Sequence, residues 1–145
     1  MIRTVLAVTV FAFGITAVVA QSDPIAARKA LMKANGGAAQ QGAKFMKGEE
    51  PFNLAKAQAI FATYHDAATK APALFPDNSK TGGDTAALPA VWETKADFEA
   101  KLAKFGVEAK DAAAKVKDEA TFKTVYPEVM KNCGGCHTTY RKKTS

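Results

Sequence analysis

The chain has 145 residues, with 20 Lys and Arg against 14 Asp and Glu and a formal net charge of +6. The lysines are spread among acids rather than gathered with aromatics into a stripe, which argues against a nucleic-acid surface and for a mildly basic soluble protein. That length suits one domain with a modest core.

Residues 1–20 read as an export signal: Arg3 is a positive n-region, Val5 to Ala20 is almost wholly apolar, and Val18-Val19-Ala20 offers small residues for cleavage. The run is short for a membrane span and lacks a basic far flank; an uncleaved anchor is the alternative. Cleavage after Ala20 removes Arg3, leaves a single domain over 21–145 and lowers the net charge to +5.

Helical signals follow, and no strand pattern competes. Asp23-Pro24 is an N-cap with proline in the first turn. Ile25, Arg28, Met32, Ala39, Ala43 and Met46 then recur at helical intervals, Asn35-Gly36-Gly37 interrupts the middle, and Gly48 is a suitable stop. The paired glycines imply either a bend or a large group packed against the backbone. Asn53 caps a second helix with inner positions Leu54, Ala57, Phe61, Tyr64 and Ala68, ended by Pro72. Phe75 to Pro89 is rich in Pro, Asp, Asn, Ser and Gly and reads as a crossover without regular structure.

The third helix carries Val91, Lys95, Phe98, Leu102, Phe105, Ala109, Ala112 and Val116 at strict four-three spacing. Only Lys95 breaks its apolar character, and its stem can lie along the core. Asp118 caps a fourth helix with inner Phe122, Val125, Val129, Cys133, Cys136 and Tyr140, and Pro127 inside it should bend it. Short connections on either side of the crossover make neighbours antiparallel. The expected fold is all-α, an up-down-up-down four-helix bundle.

Near the end of the fourth helix stands Cys133-Gly134-Gly135-Cys136-His137. Two cysteines three apart followed by histidine are the pattern of covalent haem attachment, with the histidine placed to give iron an imidazole nitrogen. The glycines add no bulk beside the macrocycle. A thioredoxin-like pair wants a preceding strand, and a zinc site wants two more ligands where His65 is the only other histidine. A disulfide in an oxidising compartment and two inert cysteines complete the alternatives.

Over residues 24–143 the chain resembles the class II c-type cytochromes, the cytochrome c′ and cytochrome c-556 group. The resemblance rests on the C-terminal haem motif and on Arg28-x-x-x-Met32. It rests also on Lys47-Gly48-Glu49-x-Pro51-Phe52, Phe75-Pro76 with Ser79, Trp92 with Phe98, and Arg141 four residues after His137. It implies haem c held by Cys133 and Cys136, His137 as one axial ligand, Arg141 near a propionate or over that face, and Met32 facing the opposite side. In c-556 members the residue at the Met32 position is a sixth ligand to low-spin iron; in cytochromes c′ it shields an empty face. The chain has Thr138 where many relatives carry an acid.

Each of these residues also has a plain structural reading. Met32 can simply fill core space, although a thioether is also a soft iron ligand. Met46 and Met130 read as core and His65 as a surface or half-buried imidazole. Trp92, Phe98 and Tyr140 suit the wall of a macrocycle. Arg28 either pairs with a propionate or is a solvated surface arginine. Lys131, Arg141, Lys142 and Lys143 either steer an acidic redox partner or are solvated.

The leading expectation is a periplasmic one-electron carrier, not an enzyme, serving soluble or membrane-bound redox proteins. A five-coordinate protein that binds NO or CO is the alternative, and an oligomeric structural protein with haem as a staple is a third. The resemblance also implies a homodimer through the first two helices.

Overall fold

The computed structural model describes residues 23–143; the export segment read at 1–20 lies outside them. The helices are α1 (Pro24–Lys47), α2 (Leu54–Lys70), α3 (Ala90–Glu93), α4 (Lys95–Lys115) and α5 (Glu119–Tyr140). The four long ones are the expected bundle. Among the described residues the only strand-like feature is an isolated antiparallel bridge between Ala87 and Arg141.

The helix ends follow the sequence signals. Asp23, Asn53 and Asp118 accept from the backbone N–H of Ile25, Lys56 and Thr121 at 2.9, 2.9 and 2.8 Å, satisfying donors that the first turn leaves free. Gly48 ends α1 with φ 71°, a left-handed cap that a side chain would strain. Helix α5 continues through Pro127, whose ring is exposed.

Four details differ from the expectations. The third helix is broken: Thr94, with φ −121° and ψ 46°, separates the single turn of α3 from α4. Its hydroxyl donates to Ala90 O at 2.9 Å and meets the Tyr140 hydroxyl at 3.1 Å, polar ties that periodicity does not register. Lys95 is exposed and reaches Glu99 at 3.8 Å. The crossover, expected to be irregular over Phe75 to Pro89, contains a 3-10 turn at Asp77–Ser79 and the Ala87–Arg141 bridge, and a further 3-10 turn at Ala71–Leu74 precedes it.

On α1 Arg28 is buried as assigned, but from there the inward stripe runs through Leu31, Asn35, Ala38, Gly42 and Phe45 rather than chiefly through Met32, Ala39, Ala43 and Met46. Asparagine and glycine at inward positions hid that stripe from a hydrophobic count.

Helices α2 and α4 pack most extensively, and Gly106 lets them close: a Cβ there would meet Ala68 Cβ at 3.2 Å. Two apolar clusters fill the bundle. One joins Phe45, Phe61, Tyr64, Phe105, Val116, Phe122, Tyr126 and their neighbours, and the other, at the opposite end, holds Ala71, Val91, Phe98, Leu102 and Tyr140. Within the first, Phe122 and Tyr126 stack at 4.9 Å, and Phe45 meets Phe122 edge-on at 5.8 Å; such pairs add to simple area burial. Helices α1 and α5 touch only sparingly. That gap positions the site.

Candidate functional site

The gap between α1 and α5 is closed at both ends and open between. At one end Tyr126 lays its ring over Gly42 and donates its hydroxyl to Ala39 O at 2.9 Å. At the other, Arg28 on α1 and Tyr140 on α5 are joined through the crossover. Gly42 lies fourteen residues after Arg28, and Tyr140 fourteen after Tyr126, roughly 21 Å on each helix at 1.5 Å per residue. The two spans match. Counting in from either end of this antiparallel pair sets the turn of Met32 level with the turn of Cys136 and His137.

Both helices carry open backbone at this level. A Cβ on Gly36, Gly37, Gly134 or Gly135 would meet nothing within 4 Å. Met32 is 39% exposed, one of three large hydrophobics left open among the described residues. Met130, by contrast, accepts from the Tyr64 hydroxyl at 3.5 Å, and Met46 packs on the core, as expected for both.

Cys133 and Cys136 are free and half-buried on one face of α5. Burial pushes both thiols up; Lys101 pulls Cys136 part of the way back. His137 is half-buried, and its pKa is lowered, first by burial and then by the charge of Arg141. Both effects favour the neutral imidazole, the form that ligates a metal. Two free thiols one turn apart, a histidine beside the second and the open Met32 side chain on the opposite helix fit a covalently held macrocycle. Among the described residues no group of three or more His, Cys, Asp or Glu could hold a metal by itself, so a zinc cluster has no counterpart there.

Arg28 is buried at 5% exposure, which overturns the solvated-surface alternative. Its Nη1 donates to Leu74 O at 3.1 Å and Ser79 Oγ at 2.9 Å, and its Nη2 to Ser79 O at 2.9 Å and Thr85 Oγ1 at 2.5 Å. The guanidinium also lies over Phe75 at 4.8 Å and Trp92 at 5.8 Å, a stack that suits a planar cation. Trp92 is fixed by its Nε1–H donating to Phe75 O at 3.0 Å. Phe98 is buried between Phe75 and Tyr140 at 4.8 and 5.1 Å. Arg141 is exposed, its backbone engaged with Ala87.

His65 is half-buried with Nδ1 2.9 Å from Gly106 O, between α2 and α4 and away from the gap.

The comparisons agree with this architecture. The profile of the cytochrome c′ family matches residues 23–141. The chain belongs to that family. A cytochrome c′ of Rhodopseudomonas palustris is 47% identical over 127 residues, covering 88% of this chain and 87% of that protein. A cytochrome c-556 of Agrobacterium fabrum is 36% identical over 143 residues, covering 98% and 97%. The structure of cytochrome c′ from R. palustris superposes with a TM-score of 0.83 at 46% identity, covering 86% of this chain and all of that one. The chain is thus a monohaem c-type cytochrome of the electron-carrier type, and its cofactor is covalent haem c.

Sequence reasoning overlooked Gly42, Tyr126, Asp97 and Thr85. Tyr126 was hidden by Val125, which continues the stripe from Phe122 by three. Asp97 sits at an exposed helical position and is noticed only through the Tyr140 hydroxyl, which donates to it at 2.5 Å.

Proposed function

We propose that this cytochrome is exported to the periplasm, cleaved near Ala20, and carries single electrons between soluble or membrane-bound redox proteins. Cys133 and Cys136 hold the haem by thioethers, and His137 gives the iron a nitrogen ligand. The Met32 sulfur faces the iron from α1 as sixth ligand. Bound haem supplies a one-electron couple, and a neutral thioether opposite imidazole favours the reduced state.

The observation that carries this reading is the level register of Met32 with Cys136 and His137 across an open gap, together with the 39% exposure of the Met32 side chain. Trp92, Phe98 and Tyr140 wall one end against water. Arg28, one turn from Met32, fixes the crossover at the end of the gap, with its Nη donors engaged by Leu74, Ser79 and Thr85. Arg141, Lys142 and Lys143, all exposed, form the cationic rim on which an acidic partner docks. Nothing here requires nucleic acid, and no helix among the described residues is long and apolar enough to cross a membrane.

The 47% identity to a protein named cytochrome c′ favours a second reading, in which Met32 only shields the iron and NO or CO binds on that face. The absorption spectrum of the holoprotein separates the two. A low-spin spectrum with the near-infrared sulfur–iron band, lost in Met32→Leu, supports the carrier. A high-spin spectrum with rapid CO uptake by the reduced protein supports gas binding. A homodimer through α1 and α2 is compatible with either and is tested by sedimentation.

A further inference from the structure

The crossover residues 85–88 are tied to both helices that flank the gap. Toward α1, the Thr85 hydroxyl accepts from Arg28 Nη2 at 2.5 Å. Toward α5, Leu88 N–H donates to Tyr140 O at 2.9 Å, Lys142 N–H donates to Ala86 O at 2.8 Å, and Lys142 Nζ donates to Thr85 O at 3.1 Å. Thr85 Oγ1 also accepts from Ala87 N–H at 3.3 Å, which turns the backbone onto α5. Thr85 therefore faces one helix with its side chain and the other with its carbonyl.

This position has leverage. Arg28 lies one turn before Met32, and Tyr140 lies three residues after His137. The other fixed contacts between these helices, Tyr126 on Gly42 and Phe45 on Phe122, are at the far end. Between these ends α1 and α5 have few contacts, so residues 85–88 are what ties one to the other at the crossover end. A charge-assisted hydrogen bond is among the stronger single links a protein can place there. The 3-10 turn at Asp77–Ser79 supports it: the Ser79 hydroxyl donates to Pro76 O at 2.8 Å while its Oγ and carbonyl receive Arg28.

We propose that Thr85 is a positioning residue. It fixes the separation of α1 from α5 at the mouth of the gap, and thereby controls how closely Met32 approaches the iron and how readily a small ligand enters. It does so through Arg28 and the Ala86–Lys142 and Leu88–Tyr140 bonds, touching neither the haem nor an axial ligand. The inference rests on the proposed placement of His137 and Met32 on opposite flanks. It does not depend on whether Met32 is bound, because either arrangement requires α1 to close over that face.

The test compares haem-loaded wild type, Thr85→Val and Thr85→Ser. Valine keeps the shape and removes the acceptor, whereas serine keeps the acceptor. Two quantities are read: the rate at which the reduced protein takes up CO, and amide hydrogen exchange at Leu88 and Lys142. The expected result is CO uptake faster by roughly tenfold in the valine variant, about what one charged hydrogen bond is worth. Exchange at both amides should rise, and the serine variant should behave as wild type. CO uptake within about twofold of wild type in Thr85→Val would overturn the proposal, whatever exchange shows. Faster exchange alone would make Thr85 an ordinary loop residue. If the valine variant fails to fold, Thr85→Ala is read by the same criteria. The wild-type near-infrared band reports Met32 ligation separately, so failure of that reading is distinct from failure of this one.

Discussion

Tyr126 covers Gly42 so closely that a methyl group on the glycine would clash with the hydroxyl edge of its ring. Glycine inside a helix ordinarily costs roughly 1 kcal/mol against alanine, so an alanine there would normally stabilise the chain. Here the ring would have to leave its stack on Phe122 and its hydrogen bond to Ala39 O. Gly42→Ala should therefore destabilise the protein by about 1–3 kcal/mol, the usual cost of overpacking a filled site. The urea midpoint measures this; an unchanged or higher midpoint would mean that the α1–α5 contact is soft.

Arg28 is a buried cation whose Nη donors serve the crossover. Replacing it with methionine leaves the Leu74 and Ser79 carbonyls without that donor, and a loss of about 2–4 kcal/mol is expected. Lysine should restore only part, since it lacks the planar fork. Denaturant titration of both variants gives the ranking, and equal losses would show that charge alone matters.

Two carboxyls give the acid limb of stability its direction. Asp97 is held below the ordinary range by the Tyr140 hydroxyl, and Asp118 by the Thr121 backbone N–H. In the unfolded chain each titrates near 3.9, so the unfolded state takes up protons first as pH falls. The stability these groups contribute is complete above about pH 4 and is lost below it as the folded values are passed. Asp118→Asn keeps a good cap that does not titrate. Its unfolding midpoint should fall less steeply between pH 5 and pH 2 than that of wild type, and parallel curves would remove Asp118 from the account.

The cationic rim of Arg141, Lys142 and Lys143 should make electron exchange with an acidic protein sensitive to salt. Between 0.01 and 0.15 M ionic strength the screening length falls from about 30 to 8 Å. The bimolecular rate measured by stopped flow should fall with it, and should fall less in Arg141→Gln. A rate indifferent to salt would place docking elsewhere.

Much of the fold was legible. Three caps, the glycine stop of α1 and the four long helices follow from local chemistry, and the haem motif is five contiguous residues. What escaped depends on partners distant in sequence. The break at Thr94 and the bridge at Ala87 both answer to Tyr140 and Arg141, 46 and 54 residues on. Gly42 reads as a gap in the stripe until Tyr126 fills it. Arg28 was legible as a site residue, but its bonds to Leu74, Ser79 and Thr85 lie 46 to 57 residues away and leave no local trace.

The bridge between Ala87 and Arg141 also has a consequence for biosynthesis. A chain made from its N-terminus delivers Tyr140 to Lys142 only after both cysteines have emerged, and closing a loop of that length has a slowly growing entropic cost that only the finished contacts repay. The crossover therefore stays untied while Cys133 and Cys136 become available. The tie between the crossover and the end of α5 is thus among the last contacts the chain can complete.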